Sequence, residues 1–207
     1  MSTAASFWRC LHNRSLIAMT KRDAICEAAL ELFAEKGIEA TTTREIAERA
    51  GAAEGTLYRH FEGKDDLAGW LYHRCTQDLQ GRLNEVLDQA STPEAKLEVL
   101  VRGVFDFFAR QPTSCSYLLS AREGDKANGE PSGPTSPPMN LFVDILEAGM
   151  EQGVFRDTSP QLVAGWILSL IQRTVLFFKT GTLEMSEQSA IDRTVDAALR
   201  LVEAPVR

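Results

Sequence analysis

Apolar residues recur every three or four positions along most of the chain, which is the spacing of one face of an α-helix. Between Lys21 and Lys36 the apolar residues fall at i, i+3, i+4, i+7 and i+8, and Gly37 follows at the position where helices commonly stop. The pattern predicts a first helix over these sixteen residues. Similar spacing farther along the chain predicts an all-α fold of about nine helices.

Two short helices are expected next. The segment Thr42-Thr43-Arg44-Glu45 has the spacing of a capping box, in which the threonine hydroxyl accepts from the first turn and the glutamate reaches back. It predicts a second helix to about residue 50, ended by Gly51. A third helix begins near Glu54, with Leu57 and Phe61 spaced to pack inward and residues 56 and 58–60 left mostly outward.

Two short helices joined by a glycine-containing turn and supported by a longer helix make a helix-turn-helix, whose second helix enters the major groove. The outward residues suit that role. Gly55 permits close backbone approach, Thr56 and Tyr58 are hydroxyl donors for phosphate oxygens, and Arg59 and His60 have the length to reach base edges. Lys64, at the start of the next helix, adds a possible charged phosphate contact beside the backbone N–H groups of its first turn.

Caps and breakers divide the rest of the chain into six further helices. Pro93 and Pro160 each follow a Ser or Thr and mark first turns, while Gly153 and Gly181 mark ends. The predicted spans are 64–90, 93–110, 113–122, 139–152, 160–179 and 186–203. Residues 124–138 are rich in Gly, Pro, Ser and Thr and predict a loop, either a pocket flap or a plain surface loop.

The helix over 160–179 is apolar around nearly its whole circumference. Its apolar run, Leu162 to Phe178, contains Gln172 and Arg173, and this run is expected to be too short and too polar to span a membrane. A monomer of this size can hardly bury every side of such a helix. We therefore expect it to face its own domain on one side and a second subunit on the other.

Composition and charge describe a globular chain whose contacts with any polyanion must be local. The 207 residues are 44% hydrophobic and 25% charged, with a formal net charge of −7. Even residues 20–66 hold seven Lys and Arg against eleven Asp and Glu. A DNA complex would therefore depend on placement of charge rather than on its sum, with a moderate salt dependence.

Little in the sequence supports catalysis or metal binding. The four cysteines, Cys10, Cys26, Cys75 and Cys115, are far apart and show no C-x-x-C spacing, and the three histidines are scattered. We therefore expect neither an enzyme nor a metal site nor a cofactor. The first eighteen residues lack the uninterrupted apolar run of a signal peptide, which predicts a cytoplasmic protein without a membrane partner.

The segment T-T-x-R-E-I-A-E-R-A-G-x-x-x-G-T-L-Y-R-H-F-x-x-K-x-x-L, from Thr41 to Leu67, closely resembles the signature of TetR-type transcriptional regulators, as does A-L-E-L-F-A-E-K-G at 29–37. The resemblance implies a DNA-facing set: Thr42, Thr43, Arg44, Thr56, Tyr58, Arg59, His60 and Lys64. One departure stands out. Many members carry Ser or Thr where this chain has Ala53, and Lys or Arg where it has Glu54, which weakens the cap and puts a phosphate contact at position 54 in doubt.

The resemblance also implies a DNA-binding domain over 20–66 and a ligand-binding and dimerisation domain over 67–207. The residues before them fit no helix of the family, and a flexible extension is expected over 1–19. The last two helices of two protomers would form a four-helix homodimer interface, and the dimer would read a palindromic double-stranded operator. Most members are repressors. The expected mechanism is that a small, hydrophobic or amphipathic inducer shifts the fourth helix and changes the spacing of the recognition helices.

Aromatic residues of the regulatory half are candidates for the effector site, although each also fits a plain core position. They are Trp70, Phe105, Phe108, Phe142, Trp166 and Phe177. Arg173, the single charge between Ser159 and Phe178, must pair with an internal acid, reach the dimer edge or meet an anionic ligand such as a carboxylate, phenolate or phosphate ester. The alternative function is a DNA-binding architectural or interaction protein without sequence specificity on the same scaffold.

Overall fold

A computed structural model of the chain describes residues 20–120 and 137–203. Nine helices form this part of the chain, and it contains no strand beyond an isolated bridge between Phe155 and Glu203. The all-α fold is therefore confirmed for these residues. The helices are α1 (Lys21–Lys36), α2 (Thr43–Arg49), α3 (Glu54–Tyr58), α4 (Lys64–Leu87), α5 (Pro93–Arg110), α6 (Pro112–Ser120), α7 (Pro137–Glu151), α8 (Pro160–Thr180) and α9 (Glu187–Val202).

The helix ends follow the local signals in the sequence. Threonine or serine side chains accept a backbone N–H bond at the start of α1, α2, α5, α8 and α9, where the first-turn donors have no helical partner. Glycines with positive φ follow the helices that were expected to end there: Gly37, Gly51, Gly153 and Gly181. This conformation is open to glycine because it has no Cβ.

Three boundaries differ from the prediction. Helix α4 ends at Leu87 rather than near residue 90. Helix α6 starts at Pro112 rather than at residue 113. Helix α7 starts at Pro137, so the last two residues of the predicted loop 124–138 are helical. The proline fits because the first turn needs no N–H donor. The rest of that loop and the N-terminal extension lie outside the described residues.

Two hydrophobic cores lie one after the other along α4. The first contains buried residues of α1 to α3, the first three turns of α4, and Tyr117 of α6. The second contains the end of α4 and the inner faces of α5 and α7 to α9. Tyr117 donates its hydroxyl hydrogen to the carbonyl of Ala68 at 2.7 Å and stacks on Phe33 with ring centroids 6.0 Å apart. A boundary at residue 66 therefore crosses the first core, and the division into 20–66 and 67–207 stays a prediction.

Helix α8 is the outer helix of the second core. Its inward positions, among them Val163, Ile167 and Ile171, are fully buried. Leu162, Trp166, Leu170 and Leu176 remain 49%, 43%, 37% and 41% exposed, respectively. By length and composition this helix could cross a membrane, so the expectation that the run is too short and too polar was wrong. A core helix of a water-soluble protein passes the same test, and the inward face of α8 packs as in such a helix.

Candidate DNA-binding surface

The helix-turn-helix is fixed to α1 by ion pairs. Lys36 contacts Glu45 of α2 with 2.6 Å between Nζ and Oε1. The same glutamate closes the capping box with Thr42, whose backbone N–H donates to Oε2 at 2.9 Å. The Lys36 hydrogen bond, followed by the two bonds from Thr42, lowers the pKa of Glu45 to about 2. The predicted capping box is therefore confirmed, and it anchors α2 as well as starting it.

A second group of contacts secures the other end of α2. Arg49 contacts Glu31 at 3.2 Å and Glu35 at 3.5 Å, both on α1. Lys21 donates to the carbonyl of Gly51, in the turn before the recognition helix, at 3.0 Å. These cations thus compensate acids and a carbonyl of the domain itself, which leaves fewer of the seven cations available for phosphate.

Helix α3 presents a short polar surface on an apolar base. Leu57 is fully buried and Phe61 is 5% exposed, so both pack into the first core as expected. Tyr58 is 54% exposed, and Arg59 and His60 are also exposed. Arg59 makes one weak contact, 3.4 Å from its Nη2 to the hydroxyl of Thr56, and can reorient toward a ligand.

Three side chains connect the start of α2 to α3. Thr43 donates its hydroxyl hydrogen to Oε1 of Glu54 at 2.6 Å, and its oxygen lies 3.3 Å from the hydroxyl of Tyr58. A carboxylate only accepts, so the single hydroxyl hydrogen of Thr43 is used on Glu54. The hydrogen between Thr43 and Tyr58 must then come from Tyr58. The predicted donation from Tyr58 to a phosphate would require this bond to break.

Two cations of the predicted DNA-facing set have partners within the protein. Arg44 is exposed and pairs with Glu48 at 2.9 Å, and this hydrogen bond is the main cause that raises the pKa of the guanidinium. Lys64 donates to the carbonyls of Ile38, Glu39 and Thr41 at 3.0, 3.3 and 3.4 Å. Lys64 therefore holds the connection between α1 and α2, and its contact with phosphate stays a prediction.

The backbone of α3 starts without a side-chain cap. Ala53 occupies the cap position and makes no side-chain hydrogen bond, as its sequence predicts. Gly55 is exposed, and a Cβ built there would meet no atom within 4 Å. The space in front of the first turn is therefore open to an approaching phosphate or base, as the expected close approach at Gly55 requires.

The predicted effector-lining residues do not lie around one site. Phe105 and Phe142 are buried in the second core, and Phe108 and Phe177 are half-buried. Trp70 belongs instead to the first core, where the guanidiniums of Arg22 and Arg74 lie 4.4 and 5.4 Å from its ring centroid. Trp166 and Arg173 are exposed on α8. Effector contact by these residues stays a prediction, since apolar spacing alone does not tell core from cavity.

Neither a metal-ligand cluster nor an activated thiol is found in the described part of the chain. Residues 20–120 and 137–203 contain no group of three His, Cys, Asp or Glu side chains suited to a metal ion. Cys26, Cys75 and Cys115 are free and buried. Burial raises the pKa of Cys26 to about 11 and that of Cys115 to about 12, so both thiols stay protonated and weakly nucleophilic.

Comparison with known proteins identifies the family. The sequence profile of bacterial regulatory proteins of the tetR family matches residues 25–69. The HTH-type transcriptional repressor KstR2 of Mycolicibacterium smegmatis is 30% identical over 175 residues, which cover 82% of this chain and 84% of the relative. The chain belongs to the TetR family. As a TetR-family protein it is a DNA-binding transcriptional regulator and not an enzyme.

Solved TetR-family structures share the fold over most of the chain. The ketosteroid transcriptional regulator KstR2 of Mycobacterium tuberculosis superposes with a TM-score of 0.68 at 23% identity, covering 94% of this chain and 99% of that one. The transcriptional regulator FadR of Bacillus subtilis, solved in complex with stearoyl-CoA, gives 0.64 at 20% identity, covering 89% and 98%. At these identities the likeness concerns the fold alone.

Proposed function

We propose that this regulator is a homodimeric repressor that binds a palindromic operator and leaves it when a small amphipathic effector binds. The dimer is the step that the structure supports most directly. Trp166, Ser169 and Leu170 of α8, with Ala197 and Leu201 of α9, line an apolar surface groove of about 490 Å³. Exposed apolar surface of this kind on the last two helices suits a second copy packed by its own α8 and α9.

The operator follows from the dimer. A two-fold axis between α8 helices would place two copies of α3 on one face of the duplex, with half-sites about one turn, roughly 34 Å, apart. The DNA-contact set proposed for each copy is the predicted one: Thr42, Thr43, Arg44, Gly55, Thr56, Tyr58, Arg59, His60 and Lys64. Arg59 is the strongest candidate for a base contact, because it is exposed and weakly held.

For the effector we propose a thioester of coenzyme A or another amphipathic anion. The support is indirect: FadR was solved with stearoyl-CoA, and this chain has the same fold. The apolar second core, which contains Phe105 and Phe142, is the proposed place for the acyl part. The sequence left three roles open for Arg173: pairing with an internal acid, a place at the dimer edge, or contact with an anionic ligand. Its exposed position on α8 fits the dimer edge.

Release would pass through α6, which contributes Cys115 to the second core and Tyr117 to the first. Tyr117 of α6 holds Ala68 of α4 at 2.7 Å, so movement of α6 on effector binding would move the start of α4 and with it α3. An effector shifts this equilibrium only by its different affinity for the two states, typically about 1–3 kcal/mol or roughly 5- to 150-fold. The proposed site of action is the cytoplasm, where operator DNA is found.

Selection of binding sites from random duplex DNA at fixed moderate salt tests the proposal. Enrichment of a palindrome with half-sites about one turn apart is expected. The variant Arg59→Ala should lose the enrichment while keeping the dimer. A failure of the wild-type protein to enrich any motif would contradict sequence-specific regulation. Melting of the protein with stearoyl-CoA, free stearate or coenzyme A alone then tests the effector class.

A further inference from the structure

Glu54 is an unexpected residue on a surface that meets a polyanion. It is exposed in the first turn of α3, four residues before Tyr58 and therefore on the same side of the helix. Close to phosphate its charge is repelled. The DNA-binding segment carries eleven acids, Glu54 among them, against seven cations, so this carboxylate brings no advantage for affinity. Its use must lie elsewhere than in phosphate binding.

The structure holds this carboxylate in place. Thr43 donates to Oε1 of Glu54 at 2.6 Å, and Tyr58 donates to Thr43 across 3.3 Å. The direction of these two bonds is fixed because a carboxylate has no hydrogen to give. The hydroxyl hydrogens of Tyr58 and Thr43 are both used within this group of three side chains. Glu54 and the Tyr58 oxygen therefore present acceptors toward the outside.

The major groove offers few partners for a cluster of acceptors. Guanine presents two acceptors there, and thymine presents an acceptor and a methyl group. Adenine presents its N6 amino donor beside the N7 acceptor, and the N7 acceptor faces a carboxylate unfavourably. Cytosine presents its N4 amino group alone, and glutamate is a suitable acceptor for it.

We propose that Glu54, oriented by Thr43, is a specificity-determining residue that accepts a hydrogen bond from the N4 amino group of one cytosine in each half-site. Guanine or thymine at that position would leave two sets of acceptors opposed. The proposal rests on the proposed sequence-specific operator binding. It has a second consequence: the carboxylate lowers the affinity of the recognition helix for DNA in general, because it repels phosphate wherever no cytosine is in register.

The test is selection from random duplex DNA by the wild-type protein, Glu54→Gln and Glu85→Gln at one salt concentration. The glutamine keeps the size of the side chain and removes its charge. Glu85 is an exposed residue near the end of α4, so its variant controls for the change in net charge. Binding of each protein to a random-sequence duplex is measured alongside.

We expect the wild-type motif to contain one position per half-site where cytosine is favoured about tenfold or more over guanine and thymine. In Glu54→Gln that preference should fall to about twofold while the other positions keep theirs, which also shows that the variant is folded. Its affinity for random duplex should rise severalfold, whereas Glu85→Gln should leave motif and affinity unchanged.

An identical motif from wild type and Glu54→Gln would overturn the proposal, as would a wild-type motif without a cytosine-selective position. A wild-type protein that enriches no motif would instead overturn sequence-specific regulation itself. The two failures are therefore distinguishable in one experiment.

Discussion

Replacing Trp166 by alanine should dissociate the proposed dimer without unfolding the protomer. Trp166 lines the groove between α8 and α9 and is 43% exposed in the single chain. The covered part of the side chain packs within the protomer, so the thermal midpoint of the variant is measured to check that it stays folded. The exposed part is what a second copy would bury.

The size of the loss follows from area. A tryptophan side chain has up to about 250 Å² of surface, and the 43% left exposed corresponds to about 100 Å². At about 25 cal/mol per Å² this is about 2.5 kcal/mol for each protomer. The two-fold symmetric dimer loses the contact twice if both rings are fully covered. We therefore expect the dissociation constant to rise roughly 10²- to 10⁴-fold.

Sedimentation equilibrium over a range of concentrations measures this change, with Tyr58→Ala as the matched control. Tyr58 is 54% exposed but lies on the candidate DNA-binding surface. The Tyr58→Ala variant should keep the dimer and weaken DNA binding. Trp166→Ala should weaken the dimer, and it should keep DNA binding at protein concentrations high enough to restore the dimer. An unchanged association constant for Trp166→Ala, with its thermal midpoint retained, would refute dimerisation through this groove.

Three further predictions concern the scaffold. The pKa of Glu45 is depressed, so the stability that its carboxylate contributes is present above pH 4.5, its ordinary pKa, and is lost as the pH falls toward about 2. Glu45→Gln should flatten that part of a profile of melting temperature against pH. An unaltered profile would exclude this contribution. Gly149→Ala would place a methyl group 2.1 Å from a ring carbon of Phe155 and should lower the free energy of unfolding, measured in urea, by about 1–3 kcal/mol. Gly81→Ala, whose methyl group would meet nothing within 4 Å, should raise it by about 0.5–1 kcal/mol. Equal effects of the two variants would contradict the packing. Lys64→Met should lower the melting temperature by about 3–8 °C, because its ammonium holds backbone carbonyls. It should also reduce the salt slope of DNA binding by about one unit if the same ammonium contacts phosphate as proposed; an unchanged slope would remove Lys64 from the proposed DNA-contact set.

Local signals in the sequence were enough for the helices. Caps such as Thr42 and Ser159 and glycines such as Gly51 and Gly181 act within one turn of chain, so their positions in the sequence locate the helix ends. The boundaries that differed, at α4, α6 and α7, lie where no such signal was unambiguous. Pro112, in particular, lies between the predicted spans 93–110 and 113–122 and begins the second of these helices.

The sequence placed the candidate DNA-contact residues on neighbouring helices but did not predict the contacts among them. Spacing placed Thr43, Glu54 and Tyr58 on neighbouring helices, yet the bond between Thr43 and Glu54 joins residues eleven apart and has no periodic signature. The same limit applies to Lys64, whose partners are carbonyls of a distant turn. Trp70 packs against the first core, which its sequence position does not reveal, since an aromatic residue on an amphipathic helix fits either of two cores.

A competition titration tests the central claim most directly. The affinity of the protein for its selected duplex is compared with that for a shuffled duplex of the same length and base composition, at fixed moderate salt. A sequence-specific regulator should bind the selected duplex about 10³-fold or more tightly. Equal affinity for the two duplexes would contradict the account and leave an architectural DNA-binding protein on this scaffold.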